Sequence, residues 1–307
     1  MKGYTVSIFM LTYNQEAFIG QTIESVLMQK TSFTYQLVIG EDCSTDNTRE
    51  ICEHYAKKFP DTIKILPNLG YNQGLITNYM RTVAACDGTY IAICDGDDYW
   101  TDAFKLQKQV DFLEANPDFS IVATNYDLLH PNGDVEQVKK LRHKKEFTFE
   151  DLVYDNLITS ATVLFRNHLQ FDPLPQWILQ FPYGDWPTYL WILRNGGKLY
   201  FLQDYTAMYR LGIGVSSPII ATSSSLLEVN IGILECMVQD HSFASHQKTI
   251  ANSLSRLKVN RMTSYNMEGQ FRKGFVCFLK NILQLKSNWH VVKMYFYSLN
   301  KRWSKQY

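Results

Sequence analysis

From Tyr4 to Tyr126, short runs of β-forming apolar residues alternate with stretches whose apolar positions recur at helical spacing. That alternation constrains the chain more than any other feature, because strand–helix–strand units of this length close as crossovers between parallel strands. Expected strands are Tyr4–Leu11, Gln36–Gly40, Thr62–Leu66, Tyr90–Cys94 and Ser120–Tyr126. Between them, Ile19, Ile23, Val26 and Leu27 give a helix over about Glu16–Gln29. Further helices carry Ile51, Cys52 and Tyr55, then Leu75, Tyr79 and Val83, then Leu106, Val110 and Leu113, the last stopped near Asn116-Pro117. Asn14 and Asp46 read as caps of the first two. The fold class expected is α/β, a mostly parallel central sheet with helices on both faces.

In such sheets ligands gather beyond the carboxyl ends of the strands. Three polar clusters fall there: Thr12-Tyr13-Asn14, Glu41-Asp42 and Asp95-Gly96-Asp97. The last belongs to YIAICDGDDYW, residues 90–100, where an apolar run ends abruptly in three carboxylates. Asp95 and Asp97 share a face of a regular strand, and Gly96 lets the backbone turn or a substrate approach closely. Carboxylates so placed repel one another unless a cation or a set of donors compensates them. Oxygen-only ligands suit Mg²⁺ or Mn²⁺. An acidic turn after a buried strand is the other reading of the same residues.

After Tyr126 the order loosens. Residues 130–149 read as a hairpin or loop whose basic run (Lys139, Lys140, Arg142, Lys144, Lys145) is either a solvated face or a phosphate-facing patch. Ala161–Phe165 is strand-like, Pro187–Arg194 helical, and Leu199–Phe201 a short strand. From about Ser216 glycine and proline almost vanish and long helices are expected. The 30 basic and 30 acidic side chains balance overall, yet residues 256–307 hold eleven Lys or Arg against one acid, Glu268. In that tail Phe271, Phe275, Phe278, Ile282 and Leu285 form an apolar stripe. Two roles fit it: a helix packed on the preceding domain, or a contact with anionic lipid, for which Trp289, Tyr295, Phe296, Tyr297 and Trp303 among lysines and arginines are suited. No apolar run approaches the roughly 18 residues that span a bilayer, and no signal-peptide pattern opens the chain. The six scattered cysteines, with no CxxC, point to a reduced, intracellular protein without a zinc site.

Taken together, these segments resemble glycosyltransferase family 2, inverting enzymes of the GT-A fold that use nucleotide-diphosphate sugars. The resemblance covers about residues 4–217. It rests on Ser7–Asn14, on Glu41-Asp42-Cys43-Ser44-Thr45-Asp46-Asn47-Thr48, on Asn68 and Gly70, on Asn78, and on Asp95–Asp98. It implies a catalytic domain over 1–215, nucleotide-binding to about 127 and acceptor-facing from 128, followed by the helical basic region 216–307. Thr12, Tyr13, Asn14, Glu16, Asp42, Asn78, Asp95 and Gly96 would then line the donor pocket. Asp97, with Asp95, would hold Mn²⁺ or Mg²⁺ on the diphosphate, where a cation offsets charge growing on the leaving group. Tyr13 as a packing residue and Asn78 as a helix-surface residue remain alternatives.

Gly184-Asp185-Trp186 is similar to the family's acidic segment that supplies the base, which marks Asp185. An N-terminal helix cap before Pro187 fits the same residues, and Asp172 is a second acid to consider. Tyr209-Arg210, Gly214 and Ser217 resemble the element that closes over the donor phosphates, except that Gly212 stands where the family has His, shifting that load to Arg210. Thr77 stands where relatives often place Arg. No Gln-x-x-Arg-Trp occurs, which speaks against a processive synthase. The resemblance implies transfer of one sugar, from a UDP-sugar before GDP- or dTDP-sugars, to a glycan or lipid-linked saccharide. The products implied are bacterial surface polysaccharides such as capsule or the O-antigen of lipopolysaccharide, made in the cytoplasm or at the inner face of the membrane. A nucleotide-sugar-binding protein without transfer is the rival class, against which the joint presence of Asp95, Asp97 and Asp185 speaks. Nucleic-acid binding is disfavoured by the acidic remainder of the chain and the lack of a recognition motif. Oligomeric state is left open.

Overall fold

A computed structural model describes residues 3–138, 144–214, 222–285 and 288–303. The chain divides into two compact units, Met1–Ser217 and Pro218–Tyr307.

The first unit is built on one mixed sheet. Its first half alternates as expected: β1 (Val6–Thr12), α1 (Ile19–Leu27), β2 (Tyr35–Glu41), α2 (Thr48–Lys58), β3 (Ile63–Ile65), α3 (Leu75–Ala84) and β4 (Tyr90–Ile93). There follow β5 (Tyr99–Trp100), α4 (Lys105–Ala115), β6 (Phe119–Leu129), β7 (Val135–Gln137), β8 (Glu146–Phe147), α5 (Phe149–Leu152), β9 (Leu164–Arg166), α6 (Asp185–Leu193) and β10 (Lys198–Arg210). Spatial order is β3-β2-β1-β4-β9-β6-β10-β5, with β7 on β6 and β8 on β10. β1 pairs parallel with β2 and β4, β2 with β3, and β6 with β10. β1 is buried along its whole length, which is why its sequence reads as a continuous apolar run and not as an alternation. Val6, Ile8 and Met10 pack with Ile19, Ile23 and Val26 of α1, Leu37 and Ile39 of β2, and Ala92 of β4 in the main core.

Three details depart from the sequence reading. β9 enters antiparallel between β4 and β6, Leu164 pairing with Ala92 on one side and Val122 on the other. The short strand expected at Leu199–Phe201 is the start of the 13-residue β10, which passes irregularities in its pairing with β6 and continues to Arg210. Near that end, Ala207 and Met208 pair with Trp100 and Tyr99, so β5 ties the β4–β5 loop to Arg210. Residues Lys139, Lys140 and Arg142 of the basic run, and Ser217, lie outside the described residues.

The second unit is helical: α7 (Ser223–Gln239), α8 (Gln247–Met267), α9 (Phe271–Gln284) and α10 (Asn288–Trp303). Val259, Met262, Tyr265, Cys277 and Val291 form its small core. The expected stripe splits here. Phe278, Ile282 and Leu285 pack against that core, whereas Phe271 and Phe275 stay exposed, because the buried face of α9 is centred on Gly274, Cys277 and Asn281. Gly274 allows the closest approach, since a Cβ there would lie 2.0 Å from Asn266 Oδ1. The six cysteines are free thiols. No helix among the described residues is long and apolar enough to cross a membrane.

Candidate active site

The β4–β5 loop lies against the end of β1, with Cys94 N–H donating to Phe9 O (3.0 Å) and Gly96 N–H to Leu11 O (2.8 Å). Only glycine fits at 96: a Cβ would lie 2.4 Å from Gln15 Oε1 and 2.9 Å from Thr12 Oγ1. Those two oxygens are themselves buried without a hydrogen-bond partner among the described residues. α1 supports the loop from behind. Thr22 Oγ1 donates to the Asp98 carbonyl (2.6 Å), with the Gly96 carbonyl 3.0 Å away, and Ser25 Oγ accepts from Trp100 N–H (3.0 Å). Below, the fully buried Lys105 donates to Gln109 Oε1 (2.6 Å) and lies 4.4 Å from the centre of the Trp100 ring; burial lowers its pKa to about 7.

The carboxylates of this loop are differently placed. Asp98 is buried and accepts the Arg210 N–H at 2.9 Å. Asp95 is half-buried and accepts from Ser160 Oγ at 2.9 Å. Burial first, then the neighbouring charge of Asp97, raises its pKa to about 7, with Asp185 adding to the effect. Asp97 is buried and also raised by burial; Arg210 opposes the shift. No side chain among the described residues donates to the Asp97 carboxylate. These two acids therefore lack compensation that a hard cation would provide, and a cation held by two carboxylates and completed by phosphate oxygens is a usual Mg²⁺ arrangement. Among the described residues no group of three or more His, Cys, Asp or Glu converges as a complete metal site.

Asp185 opens α6 behind Gly184, where a Cβ would lie 2.7 Å from the Tyr79 ring. Asn156 Nδ2 donates to Asp185 Oδ2 (2.9 Å), and Tyr79 OH donates to Thr188 Oγ1 (3.0 Å) one turn on. Burial raises the Asp185 pKa against the opposing backbone N–H of Trp186 and Asn156. The fold thus brings Asp95 and Asp185, separated by ninety residues, within electrostatic reach. Asp172 is bound instead to Arg194 (2.5 Å), which removes it as a base candidate.

Other expected site residues divide. Asp42 is buried at the end of β2 and accepts Gln73 N–H at Oδ1 (2.8 Å). Tyr13 is half-buried at the end of β1. Asn14 does not cap α1, which begins only at Ile19. Asn14 has φ +52°, a conformation Asn tolerates, and accepts Thr45 N–H (2.8 Å), while its own N–H donates to Ser44 Oγ (3.0 Å). Glu16 accepts from Asn47 N–H (3.0 Å), and Asp46 accepts both Glu16 N–H (3.1 Å) and Thr48 N–H (3.0 Å), the latter in the first turn of α2. Asn14 and Glu16 therefore join the β1 and β2 loops.

Asn78 is neither surface residue nor free ligand. It is buried, donating to Gly40 O (2.6 Å) and accepting from Arg81 Nε (2.7 Å), while Arg81 also donates to Glu41 O (2.8 Å). Arg210 is likewise engaged within the fold. Its guanidinium turns inward, donating to Asp97 O and Gln21 Oε1 and lying 4.7 Å from the Tyr99 ring centre. Held by the Asp97 carbonyl on one side and by Gln21 of α1 on the other, it braces the acidic turn. Gly212 follows at φ +80°, where histidine would be strained. Sequence reading missed Ser160, Asn156, Gln21, Thr22 and Ser25. Only the last two carried a signal, as small polar residues on the apolar face of α1.

A doubly flanked α/β sheet with acids at the ends of its parallel strands is an architecture that binds nucleotide diphosphates at that edge. The profile of Glycosyl transferase family 2 matches residues 7–170, and the chain belongs to that family. It is 31% identical over 209 residues to a Bacillus subtilis protein named as the teichuronic acid biosynthesis glycosyltransferase TuaG, covering 67% of this chain and 79% of that one. An uncharacterized Mycobacterium tuberculosis protein is 30% identical over 207 residues, 67% of this chain and 58% of its own length. The match thus spans little more than half of the mycobacterial relative. In fold, the chain is similar to Staphylococcus aureus TarS 1–349 in complex with UDP-GlcNAc, with a TM-score of 0.67 and 17% identity over 99% of this chain and 93% of that one.

Proposed function

We propose that this chain transfers one sugar from a nucleotide-diphosphate sugar, a UDP-sugar first, to a hydroxyl of a glycan or lipid-linked saccharide with inversion at the anomeric carbon. The carrying observation is the set Asp95, Asp97 and Asp185: two carboxylates short of side-chain donors where β4 ends, and a third within electrostatic reach of Asp95 and oriented by Asn156 at a helix start. Thr12, Tyr13, Asn14, Glu16 and Asp42 frame the nucleoside, with Asp42 accepting from the base and Gly96 letting the donor lie against the loop. Asp95 and Asp97 would hold Mn²⁺ or Mg²⁺, which supplies positive charge for the leaving diphosphate.

Asp185 acts on the acceptor. Its carboxylate, oriented by Asn156, takes the hydroxyl proton as the acceptor oxygen bonds to the anomeric carbon and the sugar–phosphate bond breaks, its electron pair leaving with the diphosphate. A hydroxyl is a far weaker acid than a carboxyl, so position does most of the work, and the raised proton affinity of Asp185 helps. The UDP assignment draws on likeness to a UDP-GlcNAc-binding fold, and a role in bacterial surface polysaccharide on likeness to TuaG. The compartment that goes with this reading is the cytoplasm, where nucleotide sugars are made.

Calorimetry with UDP, GDP and dTDP, each with and without Mn²⁺, tests the donor half. Binding should favour UDP, require the cation, and lose its Mn²⁺-dependent part in Asp97→Ala. Metal-independent binding of equal strength would overturn the role of Asp97, and preference for GDP would overturn the base.

A further inference from the structure

We propose that the α9–α10 surface of the second unit docks on an anionic phospholipid bilayer. This rests on that unit alone and is independent of the transfer reading. Of the seventeen exposed large apolar side chains among the described residues, eight lie on these two helices. On α9, Phe271, Phe275, Leu279, Leu283 and Val276 fall on one arc beside the buried face; on α10, Trp289 and Phe296 are two turns apart with Lys293 between them. Leu283 is 85% exposed and Trp289 79%, far more than a packed helix leaves open.

The two helices meet through the partly buried rings of Phe278 and Tyr295. Phe275 stacks near Phe278 (6.3 Å between ring centres), Phe278 meets Tyr295 (4.5 Å), and Tyr295 meets Phe296 (5.6 Å), so aromatic rings run from one helix across to the other.

Charge decides the occupant. No acidic residue occurs between Phe271 and Tyr307, while Arg272, Lys273, Lys280, Lys293 and Lys301 stand beside the apolar side chains. A face shared with a second copy would bring these cations onto one another, and protein interfaces are depleted in lysine. At a bilayer surface, lysine stems lie along the apolar zone and their ammonium groups reach the phosphates. A second observation points the same way. At the border of the α9 arc, Lys280 also lines a pocket with Lys258, Arg261, Asn281 and Glu235, in which Arg261 Nε is buried with no hydrogen-bond partner among the described residues. Among the described residues Glu235 pairs with Lys258 (3.0 Å), leaving a net positive cleft beside the apolar face that suits a phosphate headgroup.

The test is flotation of the full chain with phosphatidylcholine vesicles, with and without phosphatidylglycerol, at low and high salt. The anionic vesicles should carry the protein and release it in high salt. Leu279→Glu with Leu283→Glu should weaken binding at least ~10-fold, and Lys273→Glu, Lys280→Glu and Lys293→Glu should each cost about fivefold. Circular dichroism and an unchanged melting temperature confirm that these surface variants fold. Equal binding to neutral vesicles, no binding to either, or indifference to the substitutions would overturn the proposal. So would dimerisation in sedimentation velocity that the same leucine substitutions abolish, since the face would then belong to a second copy. Inorganic phosphate raising the melting temperature without any vesicle binding would likewise reassign the pocket.

Discussion

Two polar clusters at one edge of the sheet, where β1 and β2 end and where β4 ends, hold similar residues under opposite conditions. Where β1 and β2 end, Asn14, Ser44, Thr45, Glu16, Asp46 and Asn47 satisfy one another across the two loops. Where β4 ends, Asp95 has one hydroxyl donor and Asp97 has no side-chain donor among the described residues, while burial raises the proton affinity of both. A polar group that has found its partner within the fold contributes to the scaffold. A buried carboxylate left short of donors stores an electrostatic demand that something external must meet. The contrast separates residues that shape the pocket from residues that act in it.

The contrast can be broken at several points. Asp185→Asn should show the largest effect, a fall in kcat of about 1,000-fold with nucleotide affinity kept within about twofold. A near-normal rate in a steady-state transfer assay would place the base elsewhere. Arg210→Met comes next. If Arg210 is a strut, removing its charge under Asp97 and Asp98 should cost about 3–5 kcal/mol, read as lost thermal stability of the first unit. Reduced nucleotide affinity with unchanged melting would return Arg210 to the phosphates.

Asp95 gives a pH signature. Its folded pKa of about 7 lies above its unfolded value of about 4. Its contribution to metal-free stability is therefore complete below about pH 4 and is lost as pH rises through 7. Asp95→Asn should stabilise the metal-free protein at pH 8 by about 1–3 kcal/mol and much less at pH 5. A pH-independent change in melting temperature would show that Asp95 is already ionised and paired. The smallest effect belongs to Asn14→Ala. It should cost about 1 kcal/mol and leave the Mn²⁺ dependence of UDP binding unaltered.

Much of this was legible from local order. Alternating strands and helices, the three polar strand ends and the Gly184-Asp185-Trp186 turn are written in neighbouring residues, since periodicity and turn chemistry act over a few positions. Side-chain direction was less legible. Asn78 and Arg210 look like ligand groups in a motif, yet both turn inward because Gly40 and Arg81 in one case, and the Asp97 carbonyl and Gln21 in the other, lie within reach only after the chain folds.

The sequence by itself determined which residues share a face, where strands stop, and that carboxylates and cations are segregated along the chain. Only the tertiary structure decided which face meets a core. It seats β9 between β4 and β6, holds Asp185 within reach of Asp95, and turns Phe271 and Phe275 outward while Phe278 goes in. The physical reason is range. Backbone geometry sets a period locally, but burial and the pairing of buried charge depend on partners tens of residues away.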